Sequence, residues 1–129
     1  MSEFTKKKRK TNEPHRGDVW MADEQMFYKN AGHLMTGRRP VLIISSEIGN
    51  RTSGNVIILP LTSRVKEHSC NVTLPMKCVG FTLRKPTQVL CNHPRTESIS
   101  SLTYKLGRIS DASLADVEKA LLLSVGIKK

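Results

Sequence analysis

The chain has few of the features that mark secreted or membrane-spanning proteins. Its three cysteines, Cys70, Cys78 and Cys91, are an odd number at irregular spacing, and no apolar h-region follows the N-terminus. No apolar run approaches the roughly 18 residues that a transmembrane helix needs. These absences argue against a disulfide scaffold and a membrane span, so we expect a cytoplasmic protein with no membrane partner.

Aromatic residues are also scarce, at 5% of a chain in which 38% of residues are hydrophobic. The core must therefore come mainly from Val, Ile and Leu, which favour strands. Few aromatics also argue against a surface that binds single strands mainly by stacking on their bases. A length of 129 residues fits one domain with one modest core.

Acidic residues are outnumbered, with 11 Asp and Glu against 21 Lys and Arg, which gives a net charge of +10. Removing residues 1–15 still leaves sixteen basic against nine acidic residues, so the folded part is itself basic. A basic surface attracts polyphosphates or an acidic protein partner, and charge alone does not choose between them.

The first 15 residues lack apolar periodicity and contain the run Lys6-Lys7-Lys8-Arg9-Lys10. They predict a disordered basic arm ahead of a domain that spans residues 16–129. The arm is interpreted as a solubilising tail, a tether for nucleic acid or a nuclear address.

The remaining pattern predicts several strands and one terminal helix. Strands are expected at residues 16–23, 40–46, 55–63, 71–75 and 87–92, with a long loop at 24–38 and a turn-rich connection at 48–54. A helix capped by Ser110 or Ser113 should end at Gly126. This order, without a β-α-β rhythm, indicates a β-rich α+β fold: a small barrel-like sheet of antiparallel or mixed strands with a C-terminal amphipathic helix.

Two of the predicted strands carry polar groups at one end. Arg38 and Arg39 open the strand at 40–46, and Thr62 and Ser63 close the strand at 55–63. If these strands pair antiparallel, the two ends meet and a guanidinium and a hydroxyl can hold one phosphate. Each signal has an ordinary alternative, a surface salt bridge for the arginines and a turn for the Thr-Ser pair.

The long loop contains one further candidate, His33, whose imidazole could carry a proton near neutral pH. A solvated histidine without a role is the alternative. Asp18, Asp23 and Glu24 could act as bases but are equally placed to balance nearby arginines.

Two His/Cys pairs, His68 with Cys70 and Cys91 with His93, raise the possibility of zinc. Their spacing differs from that of structural zinc sites, so we expect no metal and no cofactor. The sequence also lacks a Walker-type loop, a dinucleotide-binding glycine loop and a Gly-x-Ser-x-Gly elbow.

Taken in order, several segments resemble the MazF/PemK family of toxin endoribonucleases over about residues 16–127. The segments that carry the resemblance are Arg16-Gly17-Asp18-Val19-Trp20, Gly32-His33, Gly37-Arg38-Arg39-Pro40-Val41-Leu42-Ile43-Ile44, Ile48-Gly49-Asn50-Arg51, Val56-Ile57-Ile58, Leu61-Thr62-Ser63, Pro94-Arg95-Thr96 and Gly107-Arg108-Ile109-Ser110.

The resemblance implies an SH3-like barrel that forms a homodimer, cuts single-stranded RNA or mRNA without a metal and is silenced by an acidic, MazE-like antitoxin. It implies Arg39 and Thr62 as the catalytic pair, and His33 matches a histidine of some members. The residues expected to contact RNA are Arg16, Arg38, Ser63, Arg64 and Arg95.

The chain departs from the family pattern at two places. Leu34-Met35 stand where several members have Glu-Gln, and Leu90-Cys91-Asn92 stand where some have Arg and Asp around the cysteine. A carboxylate base is therefore not evident. The alternative function is a catalytically weak or inactive member that binds RNA or an antitoxin.

Overall fold

The computed structural model describes residues 13–23 and 38–128, and in them seven strands and two α-helices are found. The strands are β1 (Asp18–Asp23), β2 (Arg38–Ile43), β3 (Asn55–Thr62), β4 (Asn71–Thr73), β5 (Gln88–Leu90), β6 (Arg95–Ser98) and β7 (Leu102–Arg108). The helices are α1 (Glu47–Thr52) and α2 (Asp111–Ser124), and a short 3-10 turn covers Ile99–Ser101. None of the helices in these ranges is long and apolar enough to span a bilayer.

The strands form one sheet in the order β4-β5-β3-β2-β1-β7, and β6 also pairs with β3. Every strand pairing within the described ranges is antiparallel. The prediction of a β-rich α+β fold closed by a C-terminal helix is confirmed, and β2 and β3 have the central positions that their apolar runs predict. The sequence interpretation had no strand at β6 or β7.

Alternation along the central strands sends apolar side chains to both faces of the sheet. One face packs against α2 and β4 and contains Val19, Leu42 and Leu59, with Val117 of the helix. The other face holds the cluster of Trp20, Ala22, Val41, Ile43, Val56 and Ile58. Because β1, β2 and β3 are buried on both faces, their positions in the sheet are tightly fixed.

The connection between β2 and β3 is a short helix, α1, rather than the turn-rich loop that the sequence predicted. Ser46 caps it by accepting a hydrogen bond from the Gly49 N–H at 3.1 Å. Asn50 is buried in this helix and contacts the Ser45 hydroxyl. The hydrogen bonds of these small polar residues stabilise one and a half turns of helix here instead of a turn.

The C-terminal helix α2 begins where one of the two predicted caps places it. The Ser110 hydroxyl accepts from the Ser113 N–H at 3.1 Å, so Ser110 is the N-cap and Ser113 lies inside the first turn. Val117 and Ala120 are buried against the sheet, while Val125, predicted on the apolar face, is 58% exposed just beyond the helix end. The helix thus covers the core with its middle turns.

Candidate functional site

The register of β2 and β3 brings together the two strand ends that carry Arg39 and Thr62. Val41 pairs with Pro60, and the next two pairs follow in step, as expected for a regular antiparallel ladder. Val41 with Pro60 is the outermost pair of this ladder, and Arg39 and Thr62 each lie two residues beyond it, at the same end of the sheet. Because side chains two residues apart in a strand share a face, Arg39 and Thr62 project from the same face.

The residues on either side of this pair are also set by strand pairing. Ala22 of β1 lies opposite Arg39, and Gln88 of β5 lies opposite Thr62. Arg39 and Thr62 are therefore each paired with a residue of a flanking strand. Ala22 and Gln88 are buried, whereas Arg39 and Thr62 are half-exposed. A guanidinium and a hydroxyl are thus held at one end of the sheet with access to solvent.

The Thr62 hydroxyl also performs the structural role that the sequence left open. Its Oγ1 accepts a hydrogen bond from the Arg64 N–H at 3.1 Å, which turns the chain as β3 ends. A hydroxyl has one proton to donate and a second lone pair to accept with. The turn therefore orients Oγ1 and leaves its proton available to a phosphate oxygen.

Arg38 and Ser63 adjoin this pair in the sequence. Arg38 lies opposite Asp23, and alternation directs it to the sheet face that does not carry Arg39. There it lines a groove of about 510 Å³ that also includes Tyr104. Ser63 is exposed immediately after β3. The structure therefore places Arg39 and Thr62 at the same end of the sheet and Arg38 on the other face.

The other arginines expected to contact RNA lie at different distances from this pair. Arg64 follows Thr62 by two residues and is exposed. Arg95 lies opposite Ile58 on the same sheet face, four residues along β3 from Thr62, or about 13 Å at the usual rise of a strand. Its Nε is 3.6 Å from a Glu97 carboxylate oxygen.

Arg16 lies beyond the opposite end of β1. Its guanidinium forms a 2.6 Å ion pair with Glu118 of α2, and its backbone N–H donates to Glu47 at 3.1 Å. The next residue, Gly17, is bonded to Ile43 at the end of β2 remote from Arg39. Within one copy of the chain, Arg16 and the Arg39–Thr62 pair therefore occupy opposite ends of the sheet.

The structure describes only some of the residues that the sequence suggested as proton carriers or bases. His33, Glu24 and the departing Leu34-Met35 lie outside the described residues. Asp18 is 1% exposed, accepts from the Trp20 indole at 3.3 Å and pairs with Lys105 at 3.4 Å, so it is a structural anchor. Asp23 stands next to Arg38 in the register.

The His/Cys pairs lie together on the sheet, but without the geometry of a zinc site. The Cys91 N–H donates to the Cys70 carbonyl at 2.9 Å, which makes the two cysteines cross-strand neighbours. Burial and the proximity of Cys70 raise the pKa of the Cys91 thiol to about 12, which opposes the thiolate that a metal requires. Across residues 13–23 and 38–128, no three His, Cys, Asp or Glu side chains converge on a possible ion.

One residue of the site was missed by the sequence interpretation. Gln88 is 5% exposed, and its side-chain amide is hydrogen-bonded to the connection after β3. The available signal was a glutamine in the apolar strand at 87–92, since an amide in such a position needs buried partners.

Comparison with known proteins agrees with this fold. The family model described as PemK-like, MazF-like toxin of type II toxin-antitoxin system matches residues 15–125. An Endoribonuclease MazF of Staphylococcus saprophyticus is 30% identical over 112 residues, which cover 87% of this chain and 91% of that protein.

Solved structures of MazF proteins superpose on the chain. MazF from Deinococcus radiodurans (Form-I) is 32% identical, with a TM-score of 0.67 and coverage of 88% of this chain and 97% of that one. A MazE-MazF structure from the same organism (Form-II) is 26% identical, with a TM-score of 0.69 and coverage of 89% and 97%. The chain therefore belongs to the PemK-like, MazF-like family of toxins of type II toxin–antitoxin systems.

Proposed function

We propose that the chain cuts single-stranded RNA at specific sequences, without a metal ion, by attack of the 2′-hydroxyl on the adjacent phosphorus. Membership of its family makes it a toxin endoribonuclease of a toxin–antitoxin system. The proposal concerns the cleavage chemistry and the residues responsible. The observation that supports it is the antiparallel pairing of β2 with β3, which brings Arg39 and Thr62 to the same solvent-accessible end of the two strands.

This pair suits the demands of the reaction. As the 2′-oxygen bonds to phosphorus, negative charge builds on the phosphoryl oxygens, and donors already in place stabilise it most effectively. Arg39 supplies a permanent positive charge with a planar array of N–H donors. Thr62 donates its hydroxyl proton to a phosphate oxygen and so keeps the phosphorus in line for attack.

The bond that breaks joins the phosphorus to the 5′-oxygen of the next nucleotide. The products are then a 2′,3′-cyclic phosphate and a 5′-hydroxyl. The 2′-hydroxyl must lose its proton and the leaving oxygen must gain one. His33 is the proposed acceptor of the 2′-hydroxyl proton, and a water molecule supplies the proton that the leaving 5′-oxygen gains. Arg39 assists the departure of that oxygen through hydrogen bonding. DNA has no 2′-hydroxyl and is excluded as a substrate.

The basic surface fits both partners that the family resemblance implies. The net charge of +10 attracts RNA before any specific contact forms. It also favours an acidic, MazE-like antitoxin, and the related D. radiodurans structure contains both MazE and MazF. We further propose a cytoplasmic homodimer, as the family resemblance implies.

The proposal is tested by mapping the ends produced from one long RNA in excess EDTA. We expect cuts at a short recurring sequence, with cyclic-phosphate and 5′-hydroxyl ends. Replacing the 2′-hydroxyl at a mapped site by hydrogen should abolish cutting at that site alone. Cleavage that stops in EDTA, or fragments with 5′-phosphate ends, would show that the mechanism is wrong.

A further inference from the structure

A second feature adjoins Thr62 on the side away from Arg39. A groove of about 360 Å³ runs from Thr62 toward β4 and β5, near the lower end of the roughly 300–1,000 Å³ typical of ligand clefts. Besides Thr62 and Glu67, its polar lining includes two cations, two amides and two imidazoles, namely Arg64, Lys66, Asn71, Asn92, His68 and His93. The groove is therefore continuous with the proposed cleavage site.

One wall of this groove is the connection at residues 63–69, in which every residue is exposed. Such a segment would lack a fixed position without an anchor. Gln88 provides one, because its Oε1 accepts from the Lys66 N–H at 3.0 Å and its Nε2 donates to the Lys66 carbonyl at 2.9 Å. The buried amide thus pairs with both polar groups of the Lys66 backbone.

Gln88 is itself fixed by two further hydrogen bonds. Its Oε1 also accepts from the Asn71 amide at 3.1 Å, and its Nε2 also donates to the Thr73 hydroxyl at 3.1 Å. All four bonds need an amide, because one end must accept while the other donates. As Gln88 also lies opposite Thr62, the residue that holds the wall of the groove is paired with a residue of the proposed cleavage site.

The lining combines the three kinds of contact that a single-stranded nucleotide offers. Arg64 and Lys66 can bind a phosphate, and the imidazoles of His68 and His93 can stack on an unpaired base. The exposed Asn92 amide can donate to and accept from the polar edge of that base. Glu67 also lines the groove and disfavours a second phosphate at its position.

We propose that this groove binds the nucleotide beside the cut phosphate, that Asn92 selects its base, and that Gln88 is the positioning residue that keeps the groove preformed. The inference rests on the proposed function, since it assumes that RNA crosses the Arg39–Thr62 pair. An acidic peptide is the other occupant that the cations could attract. The amides, imidazoles and continuity with Thr62 favour a nucleotide.

The test measures binding to a randomised pool of 2′-O-methyl RNA, which the proposed reaction cannot cut. Wild type is compared with Asn92→Ala, Gln88→Leu and Gln88→Glu, and Asn55→Ala is the matched control because Asn55 is exposed at the far end of β3. Sequencing of the bound fraction gives base preference at each position. Urea unfolding confirms that each variant is folded.

We expect wild type and Asn55→Ala to enrich the same bases. Asn92→Ala should lose preference at one position, by roughly 5- to 150-fold, the usual discrimination of a good amide–base contact. Gln88→Leu should lose the same preference and bind more weakly. Gln88→Glu should recover toward wild type as the pH falls, because a neutral carboxylic acid can both donate and accept as the amide does. If Gln88 only stabilised the fold, folded Gln88→Leu would keep the wild-type base preference.

The outcomes separate this inference from the proposed function. If wild type cuts ordinary RNA and Asn92→Ala and Gln88→Leu keep its base preference, the groove proposal is wrong and the cleavage proposal stands. If the pool shows the expected preferences but wild type never cuts RNA, only the cleavage proposal is wrong. If a poly-glutamate peptide, and not RNA, distinguishes wild type from Gln88→Leu, the groove is a peptide site.

Discussion

Replacing Arg39 and Thr62 singly and together tests whether the two side chains act on one phosphate. Arg39→Ala removes a charged donor from the transition state, a loss of about 10²- to 10³-fold in kcat. Thr62→Val keeps the branched shape and removes the hydroxyl, and one hydrogen bond to a charged group is worth about 1.5–3 kcal/mol, or roughly 10- to 150-fold. Thr62→Val also removes the turn hydrogen bond from the Arg64 N–H, so its free energy of unfolding should fall by about 0.5–1.5 kcal/mol.

The register predicts that these losses do not multiply. In the proposed mechanism the two groups contact the same phosphate, and loss of either lets it shift away from the other. The double variant should therefore be faster than the product of the single losses predicts, by a coupling free energy of at least about 0.5 kcal/mol.

The assay is single-turnover cleavage of one short RNA with enzyme in excess and EDTA present, so that the rate reports chemistry rather than product release. Arg51→Ala is the matched control, because Arg51 is exposed on α1 near the other end of β2. Strictly multiplicative losses would refute the shared-phosphate geometry. An Arg39→Ala variant that cuts at the wild-type rate would refute the role of Arg39 altogether.

Three further predictions follow from particular contacts. Ser110→Ala removes the N-cap of α2 and should lower the free energy of unfolding by about 1 kcal/mol in urea titrations; no change would mean that another group caps the helix. Gly107→Ala would push a Cβ into a neighbouring carbonyl oxygen and aromatic ring, and should cost about 1–3 kcal/mol or more. Gly54 has φ +76°, but an added Cβ would meet no atom within 4 Å, so Gly54→Ala should cost about 1–2 kcal/mol in the same urea titration. A loss for Gly54→Ala that equals or exceeds the loss for Gly107→Ala would contradict this reasoning. A thiol reagent at pH 8 should modify Cys78 before Cys91, since Cys91 is fully buried with its pKa raised to about 12, and mass spectrometry of native protein checks the order.

The central strands could be predicted because burial on both faces leaves a plain signal. β2 and β3 are continuous apolar runs, and the terminal helix has a serine cap and a buried stripe. β6 and β7 were missed because neither contains a buried residue and their sequences are largely polar. Their pairing with β3 and β1 depends on neighbours distant in sequence, which local patterns do not report.

The candidate site was likewise predictable from the sequence only in part. The meeting of the strand ends that carry Arg39 and Thr62 followed from one assumption, that two adjacent apolar strands pair antiparallel. The role of Gln88 did not follow, because its bonds to Lys66 span 22 residues and require both the β4–β5 pairing and the path of the connection after β3. The sequence left a turn and a phosphate contact as alternatives for Thr62. Its hydroxyl accepts the hydrogen bond that forms the turn and can still donate its proton to a phosphate. His33 stays a prediction.

Under the cleavage chemistry proposed above, the register between β2 and β3 also makes activity a measure of correct folding. Arg39 and Thr62 are 23 residues apart in the chain, and only the pairing of Val41 with Pro60 and its neighbours brings them together. A slip of one residue would send the two side chains to opposite faces and expose the core. A toxin chain still being synthesised, or trapped in a wrong register, therefore has no assembled pair, and only fully folded molecules would need an antitoxin.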